Sequence, residues 1–252
     1  MLTSAAPSVR FENVTLGYEG HPAVHHLNGE ISSGSLTAIV GPNGSGKSTL
    51  LKGLVGVLQP IHGRIALNGI APGAIAYLPQ QATIDRSFPI TVQQLACLGL
   101  WSTIGAFGRL RREDNERVAR ALAAVGLTGF ETRQLNTLSG GQLQRVLFAR
   151  VLVQDSPLIL LDEPFTAIDS KTAADLMLVI ERWHGEKRTV IAVLHDLDLV
   201  KDRFPQALML AREVVAWGQS KSVVTAANQL RARAMAEAWD DTAPWCEPRI
   251  AS

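Results

Sequence analysis

The sequence predicts an α/β protein built on a largely parallel sheet that a block of helices interrupts. Short β-branched runs recur along the 252 residues, each closing on a glycine, a proline or a polar residue. The runs "TAIV", "LILL" and "VIAVL" are almost continuously apolar, as strands covered on both faces require. The stretch 85–153 carries helix signals and almost no strand signals, so it reads as a mostly helical insertion into the α/β core.

In chain order, the strand runs are "SVRFENVTLGY", "SLTAIV", "GRIALNG", "AIAYLP", "PLILLDE", "RTVIAVLH", "QALMLA" and "EVVAWG". In "EDNERVARALAAVGL", Val118, Ala121, Leu122 and Val125 repeat at i, i+3, i+4 and i+7, and Gly126 supplies a stop. Ser170 is the expected cap of "KTAADLMLVIERW", whose Leu176, Val179, Ile180 and Trp183 form one apolar stripe. A further helix is expected around Ala226 to Trp239. These readings divide the chain into one domain over 1–218, with an α/β core at 1–84 and 154–218, a helical subdomain at 85–153, and a helical tail at 219–252.

Composition narrows the function. A chain that is 46% hydrophobic and 19% charged can bury a sizeable core and is not disordered. A net charge of +1 leaves no electrostatic footprint for nucleic acid, and none is expected as a partner. Cys97 and Cys246 are far apart with no CxxC, which fits a reducing compartment. The start, "MLTSAAPSVR", lacks the apolar stretch of a signal peptide, and the apolar runs are far too short to span a bilayer. Any role in transport therefore calls for a separate membrane partner.

"GPNGSGKST" (Gly41, Pro42, Asn43, Gly44, Ser45, Gly46, Lys47, Ser48, Thr49) follows an apolar strand run and precedes "LLKGLVG". Strand, glycine-rich loop and helix form the setting of a phosphate-binding P-loop. Phosphates need many donors converging at short range. Glycines at 41, 44 and 46 let the backbone turn its amides inward, and the helix start adds its positive dipole end. Lys47 is placed to reach β- and γ-phosphate oxygens, and the Ser48 hydroxyl to ligate Mg²⁺. The fixed positions of this motif arise by chance in roughly one chain in a hundred of this length, before the flanking elements are considered. "LILLDEP" then ends a buried strand in two acids: Asp162 as a Mg²⁺ partner and Glu163 as the general base for the attacking water.

"LSGGQ" (Leu138, Ser139, Gly140, Gly141, Gln142) precedes the helix-like "LQRVLFARVLV". Ser139 and the amides of Gly140 and Gly141 make a second anion-binding helix start, and one nucleotide needs only one phosphate cradle. With the P-loop, "LSGGQ" and "LLDEP" in this order, the sequence resembles the ATP-binding subunit of ABC transporters over roughly 9–218. The resemblance implies a RecA-like P-loop NTPase core with an antiparallel β subdomain and an inserted helical subdomain. It also implies an ATPase with ATP and Mg²⁺ as its nucleotide and metal.

The family pattern assigns further positions. Gln80 in "YLPQ" matches the glutamine that contacts Mg²⁺ and water, and His195 in "AVLHD" the histidine that senses the γ-phosphate. Tyr18 matches the aromatic that stacks on adenine, and Asp169 in "TAIDS" the aspartate that crosses a dimer interface. Ile168 stands where many members have leucine, a mild departure. The resemblance further implies a head-to-tail homodimer, each ATP clamped between Lys47 of one copy and Ser139 of the other. The dimer is expected to sit peripherally on the cytoplasmic face of the inner membrane, beneath an integral membrane permease.

The segment after Gln80 is where such subunits face that permease. "IDRSFPITVQQLACLGLW" is similar to the pattern of zinc and manganese importers at Asp85, Phe88, Pro89, Thr91, Val92 and Gly99. Phe88 then reads as an exposed aromatic anchor, or alternatively as core of the helical subdomain, and Thr91 as the cap of a helix through Leu98. The tail "RARAMAEAWDDTAPWC" is similar to a zinc-importer branch. The resemblance thus implies import of a divalent metal, zinc first, fed indirectly by a metal-binding solute-binding protein. Manganese or an iron chelate is the alternative cargo, and a non-transport ATPase acting on ribosome or DNA the alternative of another class. His21, His25 and His26 read as exposed loop residues rather than metal ligands, and Cys246 as a free tail thiol.

Overall fold

The computed structural model describes residues 8–19, 21–71, 73–80, 85–105 and 108–237. The described chain forms two compact units: one of Ser33–Ser35 and Gly69–Ala192, the other of Ser8–Ser32, Leu36–Asn68 and residues 193–237.

The second unit carries the P-loop sequence. Its antiparallel sheet has the order β2-β1-β4, from β1 (Ser8–Tyr18), β2 (His21–Ile31) and β4 (His62–Asn68). Along β1, Val9 and Phe11 are buried while Arg10 and Glu12 face out, the period-two pattern of a half-covered strand. Asn13 breaks that register at a positive φ of 48°, and burial resumes at Val14. Beside this sheet, β3 (Leu36–Val40) runs parallel to β8 (Gln206–Ala211), and β9 (Glu213–Gln219) returns antiparallel. Every residue of β3 is buried, as its unbroken apolar run predicts. The helices here are α1 (Lys47–Leu54), α7 (Leu197–Arg203), α8 (Ser220–Val223) and α9 (Ala226–Glu237). The expected tail helix is thus present to Glu237, while Trp239, Trp245 and Cys246 lie outside the described residues.

The first unit holds β5 (Ile75–Leu78), β6 (Leu158–Asp162) and β7 (Thr189–Val193), adjacent in that order, with β5 and β6 parallel. Its helices are α2 (Val92–Cys97), α3 (Trp101–Ile104), α4 (Arg112–Ala124), α5 (Gly140–Gln154) and α6 (Ser170–Gly185). Val118, Ala121, Leu122 and Val125 are buried as their spacing predicts, and Gly126 follows at φ 68°. The stripe of α6 is buried too, and its Trp183 stacks on Phe148 of α5 with ring centroids 5.4 Å apart. Thr91 caps α2 through a reciprocal capping box with Gln94. The helix is shorter than expected: it tightens to a 3-10 turn at Leu98–Leu100 before α3. Gly99 makes this turn possible, because a Cβ there would collide with the carbonyl oxygen of Arg150 on α5.

Two expectations are corrected. Residues 21–31 are a strand, not a loop, and His25 is buried, so desolvation holds its imidazole below the ordinary histidine pKa. The signal is hidden because β2 is an edge strand that tolerates Pro22 near its start, and because His26 (φ 46°) breaks the alternation. The cap of α6 is Asp169, whose carboxylate accepts from the Thr172 amide at 2.9 Å and from its hydroxyl at 2.7 Å. Ser170 is the first helical residue instead. These bonds hold the Asp169 carboxyl below the usual carboxylate range.

Candidate functional site

In the second unit, β3 runs directly into the glycine-rich loop, and α1 leaves it at Lys47. Gly41, Gly44 and Gly46 hold φ of 151°, 74° and 92°, a region other residues avoid. A Cβ on Gly41 would meet the Leu210 carbonyl oxygen, and one on Gly46 the Ala23 carbonyl oxygen, so both are fixed by close backbone approach. Gly44 differs, since nothing lies within 4 Å of where its Cβ would stand. That open space lies beside a helix start whose N-cap, Gly46, has no side chain to cap it, the setting in which a P-loop meets phosphate. The Lys47 ammonium, on a largely buried side chain, donates to the carbonyls of Gly41 (3.0 Å) and Pro42 (2.7 Å) and to Ser45 Oγ (3.4 Å). These bonds offset the desolvation of the charge and hold it beneath the loop. Ser48 is half-buried in the first turn and Thr49 is buried.

The same unit places His195 next to this loop. The Leu194 amide donates to the Ile39 carbonyl at 3.1 Å, two residues before Gly41. Asp196 then caps α7 through Asp198 and Leu199, so the chain turns sharply after His195 and leaves it exposed. Tyr18 ends β1 with nearly half its surface exposed, and Lys52 of α1 donates to its hydroxyl at 3.2 Å. The ring is therefore anchored to the helix that follows the P-loop.

The first unit assembles the acids, Gln80 and the "LSGGQ" turn. Asp162 ends β6 with 1% of its surface exposed. Glu163 follows in the left-handed region (φ 51°), which turns the chain abruptly off the strand, and its Oε2 accepts from Thr166 Oγ1 at 3.1 Å. Ser139 caps α5: its Oγ accepts from the Gln142 amide at 3.2 Å and Gln142 Oε1 accepts from the Ser139 amide at 2.9 Å. The serine O–H remains a possible donor. A Cβ on Gly141 would lie 2.5 Å from the Ala167 carbonyl oxygen, so this helix start sits tight against the turn before Asp169. Gln144, buried on α5, donates to the carbonyls of Glu163 (3.4 Å) and Pro164 (3.3 Å).

Three residues in this arrangement are invisible to motif reading: Gln144, Arg150 and Gln154, all on α5. Arg150 Nη2 donates to the Tyr77 carbonyl, and Gln154 Nε2 to the Ile75 carbonyl at 2.8 Å. They pin β5, the strand that leads to Gln80, to the helix that begins at "LSGGQ". Burial pulls the Arg150 guanidinium below its ordinary pKa. The partners of Arg150 and Gln154 lie more than seventy residues away in sequence and those of Gln144 19 and 20 residues away, so no local spacing signals them. Gln80 itself is exposed.

Each unit by itself has donors that suit an expected ligand: the second has the P-loop backbone and the Lys47 ammonium for phosphates and the Ser48 hydroxyl as a hard oxygen, and the first has the buried Asp162 carboxylate, a hard oxygen donor of the kind Mg²⁺ takes.

Comparison with known proteins agrees on the class. A family model described as ABC transporter matches residues 24–166. The manganese transport system ATP-binding protein MntB of Listeria monocytogenes is 37% identical over 221 residues, 86% of this chain and 92% of that protein. The zinc transport system ATP-binding protein TroB of Treponema pallidum is 35% identical over 228 residues, 89% and 86% of the two chains. Among solved structures, a metal-chelate type ABC transporter in an inward-facing conformation superposes with a TM-score of 0.77 at 29% identity, covering 90% of this chain and 88% of that one. An ATP-binding cassette captured as a dimer with ADP and phosphate superposes at 0.72 with 26% identity, covering 84% and 98%. The chain belongs to the ABC transporter ATP-binding family. It has that family's P-loop α/β fold and is an ATPase.

Proposed function

We propose that the chain is the ATP-hydrolysing subunit that energises import of a divalent metal ion through a separate membrane permease, with zinc as the cargo. The observation that carries this is the likeness, over most of both chains, to ATP-binding proteins named for manganese and zinc transport. The exposed apolar side chains of the segment after Gln80 support a permease contact: Phe88 is 61% exposed, Trp101 60% and Leu98 46%. Phe88 is therefore not part of the described core, which favours its reading as an anchor. Among the described residues no helix is long and apolar enough to cross a membrane, which agrees with peripheral attachment. Manganese is the second reading, because several of the relatives are named for it.

In this reading two copies pair, and each ATP is held between Lys47 of one copy and Ser139 of the other. Tyr18 stacks on the adenine, and the amides of Gly44, Gly46 and Lys47 take the phosphates. Ser48, Asp162 and Gln80 hold Mg²⁺, which when bound neutralises charge developing on the phosphate oxygens. Glu163 accepts a proton from the attacking water, and His195 responds to the γ-phosphate.

Uptake of labelled zinc, competed with manganese, in cells carrying the intact chain or Lys47→Ala tests the proposal. Zinc uptake that manganese barely competes, lost in Lys47→Ala, is the expected result. Loss of manganese uptake alone moves the cargo to manganese, and uptake of both metals unaffected by the substitution overturns metal import.

A further inference from the structure

We propose that the cleft beside the entrance to the P-loop is a binding site for inorganic phosphate, held by Arg233 and Gln229 of the C-terminal helix α9. The cleft is open to solvent and is lined by Gly41, Pro42 and His195 together with Gln229 and Arg233. The two α9 residues stand at i and i+4, hence on one face of the helix. Buried Ala232 lies beside them, and α9 packs on β8 and β9, so their backbone is held in place. Neither side chain has a hydrogen-bond or ion-pair partner among the described residues. The amide and the guanidinium are thus unengaged donors facing a cavity.

Three features select an oxyanion. The guanidinium fork matches two oxygens of a tetrahedral anion, and the glutamine amide supplies a further N–H. Leu197 and Met209 add apolar wall beside these donors, while the Arg233 side chain stays exposed and able to meet an ion from solution. Among the described residues no carboxylate lines the cleft to compete for the cation. The cleft is also lined by Gly41 and Pro42, the first residues of the P-loop, and by His195, so a phosphate held here would touch the loop that binds nucleotide in the proposed function. The site would retain phosphate after cleavage and so tune product release. This function rests on the ATPase reading; the binding itself does not.

The primary experiment is calorimetric titration of inorganic phosphate into the full-length chain held with saturating ADP, which needs no turnover. Arg233→Ala is expected to weaken phosphate binding about tenfold, and Arg233→Lys to recover only part, because the charge returns without the fork. Gln229→Ala is expected to weaken binding less, and serves as the second probe should Arg233→Ala not fold. Phosphate affinity unchanged in both alanine variants overturns the site. Phosphate release in a single turnover identifies the source: faster release from Arg233→Ala means that the site takes nascent phosphate. Unchanged release, alongside weakened titration, means that it takes phosphate from solution and overturns the tuning role. Failure of the ATPase reading has a separate signature, namely hydrolysis equal in Lys47→Ala and the intact chain.

Discussion

The P-loop of residues 41–49 and the segment from Phe88 to Trp101 are both short and both lead into a helix, yet they are built in opposite ways. In the P-loop the backbone sets the site. Gly41 and Gly46 have no room for a Cβ, Ser45 and Lys47 are buried, and what the loop offers is backbone amides around the open space at Gly44. In the second segment Phe88 stands in the turn before the helix that Thr91 caps, the helix tightens to a 3-10 turn where Gly99 passes α5, and what the segment offers is exposed Phe88, Leu98 and Trp101. Phosphate binding is the task common to P-loop ATPases, and it fixes a backbone. A docking partner differs from one transporter to the next, and such specificity sits in side chains. If Phe88 to Trp101 meet the permease as proposed, the common activity and the particular role lie in different parts of the chain, and they should separate under mutation.

The largest expected effect is on the chemical side. Glu163→Gln keeps the left-handed turn and the size of the side chain but removes the base, so hydrolysis should fall by about 10²–10⁴-fold while ATP still binds. Steady-state turnover with nucleotide affinity checks this, and turnover equal to that of the intact chain would remove Glu163 from its proposed role. The smallest expected effect lies in the other segment. Thr91→Ala removes the hydroxyl that accepts from the Gln94 amide at 3.2 Å and should cost about 1 kcal/mol of stability. Thermal unfolding would register it, and basal hydrolysis should not change. A large fall in basal hydrolysis would show that the segment serves the chemistry directly and would break the comparison.

What was legible in the sequence follows the same division. β3, β6 and β7 were readable because burial on both faces leaves an unbroken apolar run, and α4 because its stripe has helical period. The P-loop was readable because its backbone path demands glycine at particular positions. β2 was not, since the break at His26 and the proline of an edge strand erase the alternation that marks a strand. The α6 cap was misplaced by one residue because Asp169 and Ser170 are both good caps, and only the bonds to Thr172 choose between them. Gln144, Arg150 and Gln154 were out of reach for a different reason. They act across the fold on carbonyls of other elements, and a carbonyl leaves no mark in the sequence.

The central claim, that hydrolysis and permease docking reside in separable parts of the chain, is tested most directly by ATPase activity of a Phe88→Ala, Trp101→Ala double variant, measured alone and with the membrane permease. The account predicts basal hydrolysis equal to that of the intact chain, with permease association and any permease-dependent change in rate lost. Undiminished association and coupling in the double variant, or a basal activity that collapses with it, would contradict the account.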